Sequence, residues 1–219
     1  MAVSRDRTRK ASWITIVGCG PGGLDYLTAA ARRGIDSADV LAGAPRLLDA
    51  FPASRAERIP VRADVKQALD RIAVCRGRRV AVLVTGDPGL CSLAQPVIRR
   101  FGRAACRVIP GVSAIQAAFA AVGVDWLDAR IVSGHSRVPD VEPDALAGAR
   151  KIAVLAGSPA VQPWLARLAK RLGRDWRIFV CQDLTLPTES VRSTGAAHLA
   201  DIAISPRSVV LFIRREELA

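Results

Sequence analysis

Three short stretches of this chain carry residue types and spacings suited to ligand chemistry: VGCGPGG (Val17 to Gly23), TGDPG (Thr85 to Gly89) and VIPGVSA (Val108 to Ala114). In the first, Gly18, Gly20 and Gly23 follow the G-x-G-x-x-G order that, after a strand, lets a backbone approach a pyrophosphate. That chemistry needs backbone N–H donors and, about 20 residues on, an acid at the end of the second strand to hold ribose hydroxyls. Pro21 removes one donor from the loop. Asp39 is at a suitable distance but precedes the short strand VLA, whose far end carries Gly43, Ala44 and Pro45 instead. An NAD-binding site is therefore the weaker reading of this loop, and a tight strand-to-helix turn without ligand contact is a second.

The elements that must position these stretches alternate. WITIVG reads as a strand, LDYLTAAARRG (Leu24 to Gly34) as a helix with a glycine stop, and ADVLAG as a second strand. Helical stretches follow near Arg46 to Phe51 and from Val65 to Cys75, the latter with Val65, Leu69, Ile72 and Ala73 on one face. RVAVLV is a valine-rich strand ending in a Gly-Asp-Pro-Gly turn, and Leu93 to Phe101 forms a helix. CRVIPGVSAIQAAFAAVGV repeats the design: a strand, a Pro-Gly turn, Ser113 placed as a cap, and an alanine-rich helix. Open parallel sheets gather ligands at the carboxyl ends of their strands, so the three loops are expected to share one crevice. After Val124 the texture changes to the strands ARIVSGH, KIAVLAG, WRIFVCQ, ESVRSTG and SVVLFIRR, with one helix between Ala160 and Leu172. The expectation is an α/β protein of two α/β domains, residues 13–124 and 125–219, behind a flexible basic tail, residues 1–12.

Composition narrows the function. The 219 residues are 50% hydrophobic, enough for a packed core. The opening MAVSRDRTRKAS lacks the apolar run of a signal peptide, and no stretch keeps 18 apolar residues together, so no membrane association and a cytoplasmic setting are expected. The 5 cysteines contain no C-x-x-C pair and only His135 and His198 could add nitrogen ligands, so no protein-bound metal is expected. The net charge of +12 invites a polyanion: nucleic acid, a membrane surface, or a small polycarboxylate. With 5% aromatic residues there is little to interleave with bases, which demotes a nucleic-acid-binding module to a minority reading.

GCGPGGLDYLT, TGDPGLCS and VIPGVSAIQAAFAAVG, in this order and spacing, resemble the signatures of the tetrapyrrole methylases. Within that family the chain is similar, through VGCGPGGLDYLT, WLDARIVSGHSR and ESVRSTGAAHLADIAISPRSVVLFI, to the enzymes that methylate C5 of precorrin-7 or cobalt-precorrin-7 in cobalamin biosynthesis. The resemblance implies S-adenosylmethionine as methyl donor, held in a cleft between two α/β domains, and a glycine loop that lets a macrocycle approach the backbone. It implies cofactor contacts from Pro21, Thr85, Gly86, Asp87, Leu90, Ser113, Ala114, Leu155 and Ala156, and substrate contacts from Gly20, Gly22, His135 and Arg137. Leu90 and Cys91 stand where the subgroup often has aromatic residues, and AGSPAVQPW where it is more polar, which alters the pocket's shape. No nucleophile or proton acceptor is singled out, so the catalytic group is unassigned. An anionic precorrin substrate, a homodimer and a separate C15-methylating, decarboxylating enzyme are also implied. The nearest alternative is a tetrapyrrole methylase of different regiospecificity.

Overall fold

The computed structural model describes residues 12–218. Of the expected basic tail, residues 1–11 lie outside the described residues.

The first half of the chain forms a five-stranded, wholly parallel sheet: β1 (Ile14–Gly18), β2 (Val40–Gly43), β3 (Glu57–Pro60), β4 (Val80–Val84) and β5 (Cys106–Ile109), in the order β3-β2-β4-β1-β5. A parallel sheet covered on both faces has strands that are apolar at every position, and VAVLV in β4 is buried throughout. Its alternate residues feed two cores. Val80, Val82 and Val84 join Ile14, Ile16, Ile72 and Val97 on one face, which brings in α3 (Val65–Ala73) and α4 (Ala94–Phe101). Ala81 and Leu83 join Val17, Ile35, Leu41 and Leu48 on the other, which brings in α1 (Ala29–Asp36) and α2 (Pro45–Asp49). The chain leaves β1 by passing β4 to reach β2, and leaves β4 by passing β1 to reach β5. The two central strands thus hand their loops off in opposite directions, which is the switch point where such sheets hold ligands.

Two local features differ from expectation. The helix expected from Leu24 begins at Ala29, because the Thr28 hydroxyl accepts the Ala31 N–H at 3.0 Å and caps it there. Leu24 to Tyr26 instead make one 3-10 turn. In addition, ERIP forms β3, a strand without an apolar run, because at the sheet's margin only Ile59 needs burial.

The second compact unit runs from Ala114 onward. Its sheet is mixed, in the order β6-β7-β10-β8-β9: β6 (Arg130–Ser133), β7 (Lys151–Leu155), β8 (Trp176–Gln182), β9 (Ser190–Thr194) and β10 (Ser208–Arg214). α6 (Gln162–Leu172) lays Trp164, Leu165 and Leu168 against Ile152, Val154, Ile178, Val180, Val210 and Phe212. Trp164 is 1% exposed and donates its indole N–H to the Val141 carbonyl at 2.9 Å. α5 (Ala114–Val122) packs on β10, so it groups with this unit. The division falls at Ser113, ahead of the Asp125 boundary expected from the change in texture.

Candidate active site

At the carboxyl edge of the first sheet, three loops lock together through main-chain atoms. The Gly86 N–H donates to the Gly20 carbonyl at 2.7 Å, and the Cys19 N–H donates to the Val84 carbonyl at 2.9 Å, so the loops after β1 and β4 are bonded where they part. Side chains are excluded at the crossing. A Cβ on Gly18 would stand 2.6 Å from the Gly111 nitrogen, and one on Gly111 would stand 2.5 Å from the Gly86 oxygen. Gly86 itself sits at φ 66, a conformation that side-chain-bearing residues rarely adopt. These glycines are needed first by one another. The bare backbone of the glycine loop, expected to admit a ligand, is at Gly18 filled by the neighbouring loop at Gly111.

Asp87 ties this crossing. One carboxylate oxygen accepts the Gly89 N–H at 2.7 Å within its own turn, and the other accepts the Gly111 N–H at 3.1 Å from the loop after β5. Its turn-stabilising and site-building roles are one role, since the same two bonds do both. The half-buried Asp87 also gives the crossing a negative group, which suits a cation and disfavours a pyrophosphate. Thr85 is half-buried, and its hydroxyl accepts from the Arg46 guanidinium at 2.6 Å. Pro21 and Ser113 are buried, while Gly22 and Leu90 are half-buried. Gly20, Pro21, Gly22, Thr85, Gly86, Asp87, Leu90 and Ser113 therefore all belong to this edge. Burial pushes the Cys19 thiol up to about 12, so it is neutral at ordinary pH and offers no nucleophile.

The acid tested for a ribose role is at the other edge. Asp39 precedes β2 and accepts both the Arg79 N–H at 2.9 Å and its guanidinium at 2.7 Å. The side-chain bond to Arg79 holds the Asp39 carboxyl down at about 2. It is occupied far from the loops, which removes the dinucleotide reading's one acidic candidate.

The second unit has its own loop cluster, at the ends of the parallel pair β6 and β7. The Gly134 N–H donates to the Leu155 carbonyl at 2.8 Å, and the Ala156 N–H donates to the Ser208 carbonyl at 2.9 Å. His135 lies on Gly157, where an added Cβ would meet its Nδ1 at 2.3 Å. His135, Leu155 and Ala156 are thus brought together. Arg137, two residues beyond His135, is exposed and pairs with Asp140 at 2.6 Å. An exposed pair of this kind is exchanged for another carboxylate at little cost. Ala114 opens α5.

Sequence reasoning missed Arg46 and Ser208. Arg46 follows β2 directly and reaches across to Thr85; a cation just past a strand end was the available signal. Ser208 is 3% exposed, accepts the Ser205 N–H at 2.9 Å and takes a bond from Gln182 at 3.1 Å, a network that no local spacing reveals. Among the described residues no three His, Cys, Asp or Glu side chains gather as a metal site, and no helix is long and apolar enough to cross a membrane.

A sequence profile of the Tetrapyrrole (Corrin/Porphyrin) Methylases matches residues 14–200. The chain belongs to this family. This tetrapyrrole methylase is 35% identical over 179 residues to the cobalt-precorrin-7 C(5)-methyltransferase of Salmonella typhimurium, covering 81% of the chain and 88% of that relative. Its fold matches the crystal structure of the methyltransferase CobJ with a TM-score of 0.79, at 22% identity over 93% of this chain and 95% of that one. It also matches uroporphyrin-III C-methyl transferase from Thermus thermophilus, solved with S-adenyl homocysteine, with a TM-score of 0.74, at 21% identity over 91% of each chain. The two-unit α/β architecture is therefore the family's own. The loops after β1, β4 and β5 all fall inside the matched region of the methylase.

Proposed function

We propose that this protein transfers a methyl group from S-adenosylmethionine to C5 of precorrin-7 or cobalt-precorrin-7. The observation that carries the reading is the locked crossing of the loops after β1, β4 and β5, within a chain 35% identical to a cobalt-precorrin-7 C(5)-methyltransferase. The residues present fit the cofactor: Asp87 supplies a negative group suited to a ligand that carries both a sulfonium and an ammonium, and Thr85 supplies a hydroxyl at the same edge. When bound, the cofactor supplies a methyl on a positively charged sulfur. That methyl would be available to a macrocycle carbon, with a neutral thioether as the leaving group and one substrate proton to be given up, and Thr85, Gly86 and Asp87 would hold the donor at the loop crossing while this happens.

The protein's task in such a reaction is alignment. Holding donor and acceptor in line contributes about 7 kcal/mol or more to lowering the barrier, without an activated side chain. Thr85, Gly86, Asp87, Leu90, Ser113 and Pro21 serve the cofactor in this reading, joined by Ala114, Leu155 and Ala156. Gly20, Gly22, His135 and Arg137 serve the substrate. The net charge of +12 suits a macrocycle with several acetate and propionate arms. The same reading carries a cytoplasmic homodimer working beside a separate C15-methylating, decarboxylating enzyme, on family resemblance.

The test is incubation of purified protein with S-adenosylmethionine and cobalt-precorrin-7, followed by mass spectrometry and NMR of the product. One added methyl at C5 is expected. A methyl at another carbon would move the enzyme to a different branch of the family, and no methylation of any precorrin would overturn the reading.

A further inference from the structure

Away from the loop crossing, the first unit holds a cavity of about 600 Å³. It lies between the second half of α1, the residues that lead into β2, and the loop from Ala50 to Ala56 that carries the chain from α2 to β3. That size falls within the roughly 300–1,000 Å³ of small-ligand sites. The loop wall is built before any ligand arrives. The Phe51 carbonyl accepts both the Ser54 N–H at 3.2 Å and the Arg58 guanidinium at 3.0 Å, and the Ser54 hydroxyl accepts the Ala56 N–H at 3.3 Å. Ala50, Pro52, Ala53 and Ala56 give this wall small apolar surfaces.

The charges on the cavity are unevenly matched. Asp39 is taken by Arg79. Arg32 stands four residues before Asp36 on α1, a spacing at which the two could pair, but its guanidinium lies instead over the buried Phe51 ring, 5.2 Å from the centroid. Among the described residues Arg32 and Arg55 have no carboxylate partner, whereas Arg58, Arg78, Arg79 and Arg100 of the same unit each have one. A guanidinium that rests on a ring by its face keeps its N–H edge for other partners, and its restrained position leaves less freedom to lose on binding. With Asp39 neutralised, two guanidiniums outnumber the one free carboxylate, Asp36, and the cavity's balance is positive.

We propose that this cavity is a second ligand site, which takes a small organic carboxylate: the carboxylate is received by the Arg32 fork with Arg55 adding charge, and the apolar body rests on the alanine and proline wall. Asp36 is the counterweight, since it repels a second carboxylate and so favours a monoacid. The cavity flanks the amino ends of β2 and β3, whereas the crossing of glycine loops stands at the carboxyl ends of β1, β4 and β5. The site is therefore separate from the loops assigned to the methyl donor and does not rest on the methyltransferase reading.

Phenylacetate serves as the probe and phenylacetamide as its uncharged counterpart, each titrated into the purified protein and followed by calorimetry and backbone amide NMR. One saturable site with a Kd on the order of 1 mM or below is expected for the acid, with shifts centred on Arg32 and the loop from Ala50 to Ala56, and the amide should bind about tenfold more weakly or worse. Arg32→Ala and Arg55→Ala should each raise the Kd about fivefold or more. Asp36→Asn, which removes the like charge and leaves the fork in place, should lower it about twofold or more, a change of opposite sign that a damaged fold does not produce. Affinity for S-adenosylhomocysteine should be the same in all three variants. The absence of saturable binding up to about 10 mM would overturn the proposal, as would equal binding of acid and amide. So would amide shifts centred on the loops after β1, β4 and β5, which would place the acid at the crossing. None of these outcomes alters whether the wild type methylates a precorrin, which the product assay decides separately.

Discussion

At the scale of single residues, the site is built by contacts in which one extra carbon cannot be fitted. Gly111→Ala puts a Cβ against the Gly86 carbonyl and the Gly18 main chain, and neither neighbour is a flexible side-chain end. Overpacking of this sort costs about 1–3 kcal/mol. The variant should therefore show a lower urea midpoint together with weaker S-adenosylhomocysteine binding; unchanged stability would mean that the loops are not locked. Asp39 gives a prediction at the opposite edge. Its folded carboxyl titrates at about 2 against an ordinary 3.8, so the ion pair's contribution is fully present above the ordinary value and is lost as pH falls from there through about 2. Asp39→Asn should accordingly be less stable than wild type near neutrality and equal to it at the acid end, with S-adenosylhomocysteine binding at neutral pH unaffected. A stability difference that persists below pH 2 would show that the contact acts through packing rather than charge.

At the scale of elements, caps and edges decide what a sequence reveals. Thr28→Ala removes the hydroxyl that starts α1, and loss of such a cap costs about 1 kcal/mol. The expected outcome is a Tm lower by a few degrees with an unaltered far-UV spectrum, whereas an unchanged Tm would mean that α1 is positioned by Ala31 and Ile35 alone. Most elements were legible because their periods are strong. The apolar runs of β4 and β10 and the helical spacing of α4 and α6 each admit one reading, and their loops follow from glycine and proline. β3 was not legible, because an edge strand needs one buried residue and ERIP has a charged and proline-bounded texture. The start of α1 was obscured because LDYLTAAARRG keeps helical spacing across the cap. The sequence groups α5 with the elements just before it, whereas its contact is with β10, far along the chain.

At the scale of the whole molecule, the sequence carries the family through its ordered loops, while the logic of the site comes from long-range pairing. Asp87 reads locally as a turn residue, and only the bond to Gly111 shows it joining two loops. Arg46 lies 39 positions from the hydroxyl it holds, a separation that no motif spans. Net charge of +12 can be read as a nucleic-acid footprint or as attraction for a polycarboxylate, and the proposed macrocycle substrate accounts for it in the second way. The central claim is that the crossing of the loops after β1, β4 and β5 receives a methyl donor. The measurement that tests it most directly is calorimetric titration of the purified protein with S-adenosylhomocysteine and, in parallel, with NAD. Saturable one-site binding of S-adenosylhomocysteine, weakened in Gly111→Ala and absent for NAD, is the result expected. Binding of NAD without S-adenosylhomocysteine would contradict the account at its centre.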